Sequence, residues 1–191
     1  NNIVKNNLSN IAAYTVSIDN SSDSSLINNT ILGNGSFALV LYNSINIKVL
    51  NNTIRGNSSK IFVINSSNNS LFSNNNVNSS RIIGKGNVIY LRGSTNNTFT
   101  NNTIKSTNNS GIYMSKSFNN SFVGTIVKNN GSSVHGIILN TSSHENYFLL
   151  LNSTALGSSG AAVYIHNSSN NTFVDSINLE GNPSDIVYSP N

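Results

Sequence analysis

The chain has no cysteine, no tryptophan, one methionine and two prolines in 191 residues. Without cysteine there is neither a disulfide staple nor a thiolate metal site, and that absence fits any redox compartment. Charge is almost as scarce. Only 8% of residues are Asp, Glu, Lys or Arg, and the formal net charge of +4 comes from scattered Lys and Arg. No basic run and no interleaving of basic with aromatic residues is present, which argues against a nucleic-acid partner. No stretch approaches the roughly 18 apolar residues of a membrane span. There is no signal peptide and no initiator methionine, since the chain opens Asn1-Asn2-Ile3 inside a repeat. The expectation is therefore a single domain over residues 1–191 that is a processed mature chain or a fragment of a larger surface assembly.

What is present in quantity is Asn and Ser. With so little charge, such a composition usually belongs to disordered or low-complexity chain. Here the apolar 37% is regularly spaced and rich in Ile, Val, Phe and Tyr, which excludes that reading. One apolar column runs Ile3, Leu26, Val49, Phe72, Phe99, Phe122, Tyr147, Phe173, at intervals of 23 to 27 residues. Five residues further on comes a second: Leu8, Ile31, Ile54, Val77 and Ile104, slipping by one at Ile126, Leu151 and Ile177. A third runs Ile18, Leu41, Ile64, Leu91, Met114, Leu139, Ile165, Tyr188, each preceded by an apolar residue two positions earlier. Each repeat thus holds three short period-2 segments separated by Asn/Gly/Ser corners. A unit this short buries its apolar face only by stacking on its neighbours. The spacing predicts an all-β fold, a single-stranded right-handed parallel β-helix of about eight coils. Extra residues of the longer repeats collect before the third strand, as in the run from Asn78 to Gly86.

The phrases Asn96-Asn97-Thr98-Phe99-Thr100-Asn101-Asn102-Thr103-Ile104 and Ser168-Ser169-Asn170-Asn171-Thr172-Phe173 resemble the parallel β-helix repeats of the NosD-like and carbohydrate-binding/sugar-hydrolase group. They are most similar to the Asn-rich versions in archaeal, notably methanogen, surface and adhesin-like proteins. The likeness spans the whole chain. It implies the fold and an extracellular or cell-surface location, but no single activity, because this fold hosts many.

Asn6, Asn29, Asn52, Asn75 and Asn102 share one corner position in this register. They are expected to form a ladder of amides bonded along the axis. A second Asn-rich column, Asp23, Asn46, Asn69, Asn96, Asn119, His144, Asn170, precedes the first strand. The same doublets create Asn-x-Ser/Thr triplets. Asn28, Asn51, Asn65, Asn96, Asn101, Asn119 and Asn170 are candidate glycan acceptors. In a doublet the first Asn is the acceptor and the second is buried.

Catalytic constellations are harder to find. A hydrolase needs paired carboxylates, and a β-helix lyase needs a carboxylate cluster with a basic partner. The acids are Asp19, Asp23, Glu145, Asp175, Glu180 and Asp185, and the histidines are His135, His144 and His166. Glu145 and Asp175 lie near one end of the chain but in different columns, and the histidines do not converge. No catalytic residue, metal site or cofactor is expected.

One face is unexpectedly apolar. Between the inward residues of the third strand lie Ser17, Val40, Val63, Tyr90, Tyr113, Ile138, Tyr164 and Val187, and before them Thr15, Ala38, Ile61 and Val88. All should point outward. The second strand instead projects Arg55 and Lys105. The strip from Val40 to Val187 is the candidate interaction surface. The reading that follows is a non-catalytic structural or adhesin-like β-helix that associates laterally or end to end into a homo-oligomer or filament, with glycans as possible partners. Its rival is a carbohydrate-binding or lyase/hydrolase-like β-helix whose active site is degenerate or missing.

Overall fold

Each turn of the chain is three strands separated by corners, and the corners are set by residues that accept a left-handed backbone. In the computed structural model, which describes residues 2–6, 14–34, 37–80, 86–176 and 179–189, the result is a right-handed parallel β-solenoid without helix. First strands are three residues long, as in Lys48–Leu50, Leu71–Ser73 and Thr98–Thr100, and form a 7-stranded parallel sheet. Second strands such as Thr53–Gly56 and Thr103–Ser106 hold four residues, and third strands such as Lys60–Asn65 and Asn87–Arg92 hold six. Second and third strands join into one 14-stranded sheet because a single strand, Asn152–His166, runs through both. Among the described residues seven rungs stack in the first-strand position and eight in each of the other two, in keeping with the spacing.

The third-strand columns fall where the spacing puts them. Ile18, Leu41, Ile64, Leu91, Met114, Leu139, Ile165 and Tyr188 are register partners rung after rung. The first-strand column differs at two places. Phe148, not Tyr147, pairs with Phe122 and is fully buried, while Tyr147 faces outward. Ile3 pairs with Thr30 and so belongs to a second strand, not a first. In the second column Val127, not Ile126, pairs with Ile104. Leu8 and Ile177 lie outside the described residues, as does most of the insertion ahead of Asn87.

Inside, the phenylalanines form a continuous stack. Phe72 and Phe99 have ring centroids 4.6 Å apart, Phe99 and Phe122 4.4 Å, Phe122 and Phe148 5.0 Å, and Phe148 and Phe173 4.6 Å. Rungs separated by about 4.8 Å bring identical side chains to near-parallel stacking distance without adjustment. Residue identity at one rung therefore dictates what fits at the next.

The corner between second and third strands turns inward. Ala38, Ile61 and Val88, expected on the outside, are fully buried and belong to the core. Space for them comes from small residues at the end of the second strand. A Cβ on Gly56 would sit 2.9 Å from the Ile61 side chain, so the close approach requires glycine there.

Truncating the stack should be costly and local. Phe122→Ala is expected to lower stability by about 3–5 kcal/mol, whereas Phe118→Ala, at an exposed corner, should stay within about 0.5 kcal/mol. Urea denaturation followed by circular dichroism distinguishes the two.

Candidate functional site

The Asn doublets are the most conspicuous pattern in the sequence, and the structure splits those that flank the first strands at 28–29, 51–52, 96–97, 101–102, 119–120 and 170–171 in two. The first Asn takes the left-handed backbone and faces solvent: Asn28, Asn51, Asn96, Asn101, Asn119 and Asn170 have φ between 52° and 57° and are exposed. Asn is among the few side chains that tolerate this conformation. These six are also candidate glycan acceptors, so their amides stand at the corners and away from the strand faces. The seventh candidate, Asn65, ends a third strand and is half-buried.

The second Asn is buried and bonded along the axis. The main-chain N–H and Nδ2 of Asn75 both donate to Asn102 Oδ1 at 3.0 Å, and Asn52 donates to Asn75 Oδ1 in the same way. Each Nδ2 also reaches a carbonyl of the neighbouring rung, as from Asn75 to Val49 O and Asn102 to Phe72 O. The half-buried Asn29 joins through its N–H, which donates to Asn52 Oδ1. Asn6 does not: it is the last residue of the strand Ile3–Asn6 and pairs with Gly33, well past the corner. The ladder gives way to Thr125 and Leu151 in later turns, both buried.

A second ladder takes over where the first ends. Asn97, Asn120, Asn146 and Asn171 bond one to the next through N–H and Nδ2 to Oδ1. They follow the left-handed column that the sequence marks, and Glu145 rather than His144 occupies that column. A third ladder is built from serine. The N–H groups of Ser21, Ser44, Ser67, Ser94, Ser117 and Ser143 each donate to the hydroxyl oxygen one rung on, the last to Ser168. Its spacing is visible in the sequence but masked by the abundance of serine.

These corners are structural. The acids do not assemble a reaction centre: Glu145 and Asp175 both take left-handed corners, on opposite sides of the first strand, and both are exposed. His144 Nδ1 accepts from Ser169 N–H at 2.8 Å, and His135 Nδ1 accepts from Ala161 N–H at 3.0 Å, in separate corners. Among the described residues, no three His, Asp or Glu gather where a metal ion could sit.

The third-strand face is the remaining surface. Val40, Val63, Tyr90, Tyr113, Ile138, Tyr164 and Val187 are successive register partners on its outer side. Stacking rung on rung buries Val40 almost completely, and the others are half-buried. Tyr90 and Tyr113 stack at 5.4 Å, and the Lys60 ammonium lies 4.2 Å from the Tyr90 ring centroid. Tyr113 accepts a hydrogen bond from Asn140 Nδ2 at 2.7 Å through its hydroxyl oxygen. Beside it, a cleft of about 270 Å³ is lined by Tyr113, His135 and Ile138. Desolvation on this face raises the Tyr90 phenol above its ordinary value, with Arg92 opposing and Tyr113 adding to it.

The sequence matches the family model described as a right-handed β-helix region over residues 1–86 and 81–178, so the chain belongs to that family. A matching solved structure is the catalytic domain of a GH87 α-1,3-glucanase in complex with nigerose, at 13% identity and a TM-score of 0.41. That match covers 83% of this chain and 38% of the glucanase chain. No curated protein sequence matches the chain.

Two outcomes follow from this geometry. Asn75→Ala strips partners from buried groups on both neighbouring rungs and should cost about 1–3 kcal/mol. Asn74→Gly, at the left-handed position beside it, should be near neutral because glycine accepts that backbone freely; equal losses in paired urea titrations would contradict the division of labour. For Tyr90, a folded pKa above the unfolded value means that the fold binds the phenolic proton more tightly. Its contribution is complete below about pH 10 and is lost as pH rises further. Tyr90→Phe should flatten the alkaline decline of melting temperature.

Proposed function

We propose that the protein is a non-catalytic extracellular β-solenoid, structural or adhesin-like, that associates with copies of itself through its third-strand face. The observation that carries this reading is the strip from Val40 to Val187: seven successive rungs in unbroken register, without a charged side chain in the column. At about 4.8 Å per rung the column extends about 29 Å. A straight apolar strip whose outer edges reach solvent in successive rungs is the kind of patch that marks a contact surface. Its regular spacing makes it complementary to itself, so two copies related by a twofold axis can interdigitate rung against rung. Six of the seven candidate acceptor asparagines stand at corners, where attached glycans would leave the strip uncovered.

A second reading has one observation in its favour. The cleft beside Tyr113, His135 and Ile138 is of a size to hold a sugar ring against an aromatic face, which suits carbohydrate binding without catalysis.

Sedimentation velocity over a concentration series tests the first reading. The chain should form dimers or larger species, and Tyr113→Lys combined with Ile138→Lys should return it to monomer with an unchanged melting temperature. A monodisperse monomer at high concentration contradicts self-association, and saturable binding on a glycan array abolished by Tyr113→Ala would then favour the second reading.

A further inference from the structure

The composition decides which side chain meets an oxidant first. The chain has no cysteine and no tryptophan, and its one methionine, Met114, is fully buried in the core. Those are the residues that ordinarily give up electrons ahead of a phenol. Tyrosine is therefore the most readily oxidised group that solvent reaches. Of the seven tyrosines, Tyr14, Tyr42, Tyr147 and Tyr188 are exposed, and none of these four has a tyrosine as register partner.

Tyr90 and Tyr113 differ. They are register partners on adjacent rungs, about 4.8 Å apart at the backbone, with ring planes inclined by 16° and centroids 5.4 Å apart. Both are half-buried, not closed off from solvent. Nothing in the fold demands the pair, since the same column holds Val63 one rung before and Ile138 one rung after. Their surroundings make the two rings unequal. The Lys60 ammonium lies 4.2 Å from the Tyr90 centroid, and a positive charge over a ring opposes loss of an electron from it. The Tyr113 oxygen accepts from Asn140 Nδ2 at 2.7 Å, a bond that persists after the phenol has lost its own proton. Electron loss therefore starts at Tyr113, with a second phenol already stacked beside it.

We propose that Tyr90 and Tyr113 are an oxidative crosslinking site, at which a peroxide joins two adjacent turns through a carbon–carbon bond. Each phenol gives up one electron and one proton. The two phenoxyl radicals couple between ring carbons ortho to oxygen, and the two ortho hydrogens then shift to the oxygens, restoring both phenols. Hydrogen peroxide takes up the two electrons and two protons and leaves as two molecules of water. The product closes a loop between neighbouring turns, a covalent staple of the kind that a chain without cysteine otherwise lacks. It needs no second copy, so it stands whether or not the third-strand face self-associates.

Hydrogen peroxide with a haem peroxidase, applied to the dilute chain, tests it. Trypsin cuts after Lys85, Arg92, Lys105 and Lys116, so the two tyrosines fall in separate peptides. Mass spectrometry should find those peptides joined with the loss of two hydrogens, in a species that runs as one chain under denaturing conditions. The oxidised chain should show dityrosine fluorescence and melt about 5 °C higher or more. Tyr90→Phe should abolish the link, whereas Tyr42→Phe, at an exposed strand end, should leave its yield unaltered. Oxidation in concentrated urea should lose the preference for this pair. Absence of the joined peptides would overturn the inference. So would an equal yield in urea, links made chiefly by the exposed tyrosines, or links made only between chains, the last of which would leave the self-association reading standing.

Discussion

The structure depends on hydrogen bonds that run along the axis at its corners. Where a strand ends, the left-handed residue turns the chain, and the next N–H is buried in the wall of the solenoid. A buried N–H without an acceptor is costly. Here the acceptor is a side-chain oxygen from the following rung: Asn Oδ1 in two columns and Ser Oγ in the third. Each bond contributes only about 0.5–1.5 kcal/mol net, but every turn needs its corner groups matched before its strands can align. The ladders fix the register, and the register puts phenylalanine on phenylalanine in the core and tyrosine on tyrosine outside.

The same constraint explains the composition. A solenoid with internal ladders needs small amide and hydroxyl side chains at its corners and few charges, so Asn and Ser are abundant for structural reasons. The two Asn ladders share the work along the axis. The one after the first strand runs from Asn29 to Asn102, and the one before it from Asn97 to Asn171. They overlap in the turn that contains Asn97 and Asn102, where both corners carry buried amides. Function is left to the outer faces, where side chains are free of the ladder requirement. One face carries an apolar column flanked by Lys60 and Arg92. Another collects Arg55, Lys105 and Lys128.

Much of this is legible in the sequence, and the exceptions have physical causes. The third-strand columns can be read off because bulky apolar residues alternate with period two at a steady spacing. Tyr147 and Phe148 show the weakness of that reading: both are aromatic, and a slip of one residue flips a strand to its other face. The same slip at Ile126 hides Lys128 from the basic column that Arg55 and Lys105 mark in the sequence. Ala38, Ile61 and Val88 look outward by alternation but are drawn inward by a corner that glycine keeps narrow, an effect of three-dimensional packing that period two does not encode. The serine ladder follows the repeat at intervals of 23 to 27 residues but has no contrast, since serine is everywhere in this chain. Counting from Ile3 puts Asn6 in the ladder, but the first described strand lies elsewhere in the repeat.

Native-state hydrogen exchange tests the central claim most directly. If side-chain ladders hold the corners, the N–H groups of Asn52, Asn75, Asn97, Asn120 and Asn146 should be protected as strongly as the strand amides of Phe72, Phe99 and Phe122 beside them. They would then open only with the turn as a whole. Corner amides that exchange orders of magnitude faster than their strand neighbours would show that the strands stand without the ladders, and the account would fail.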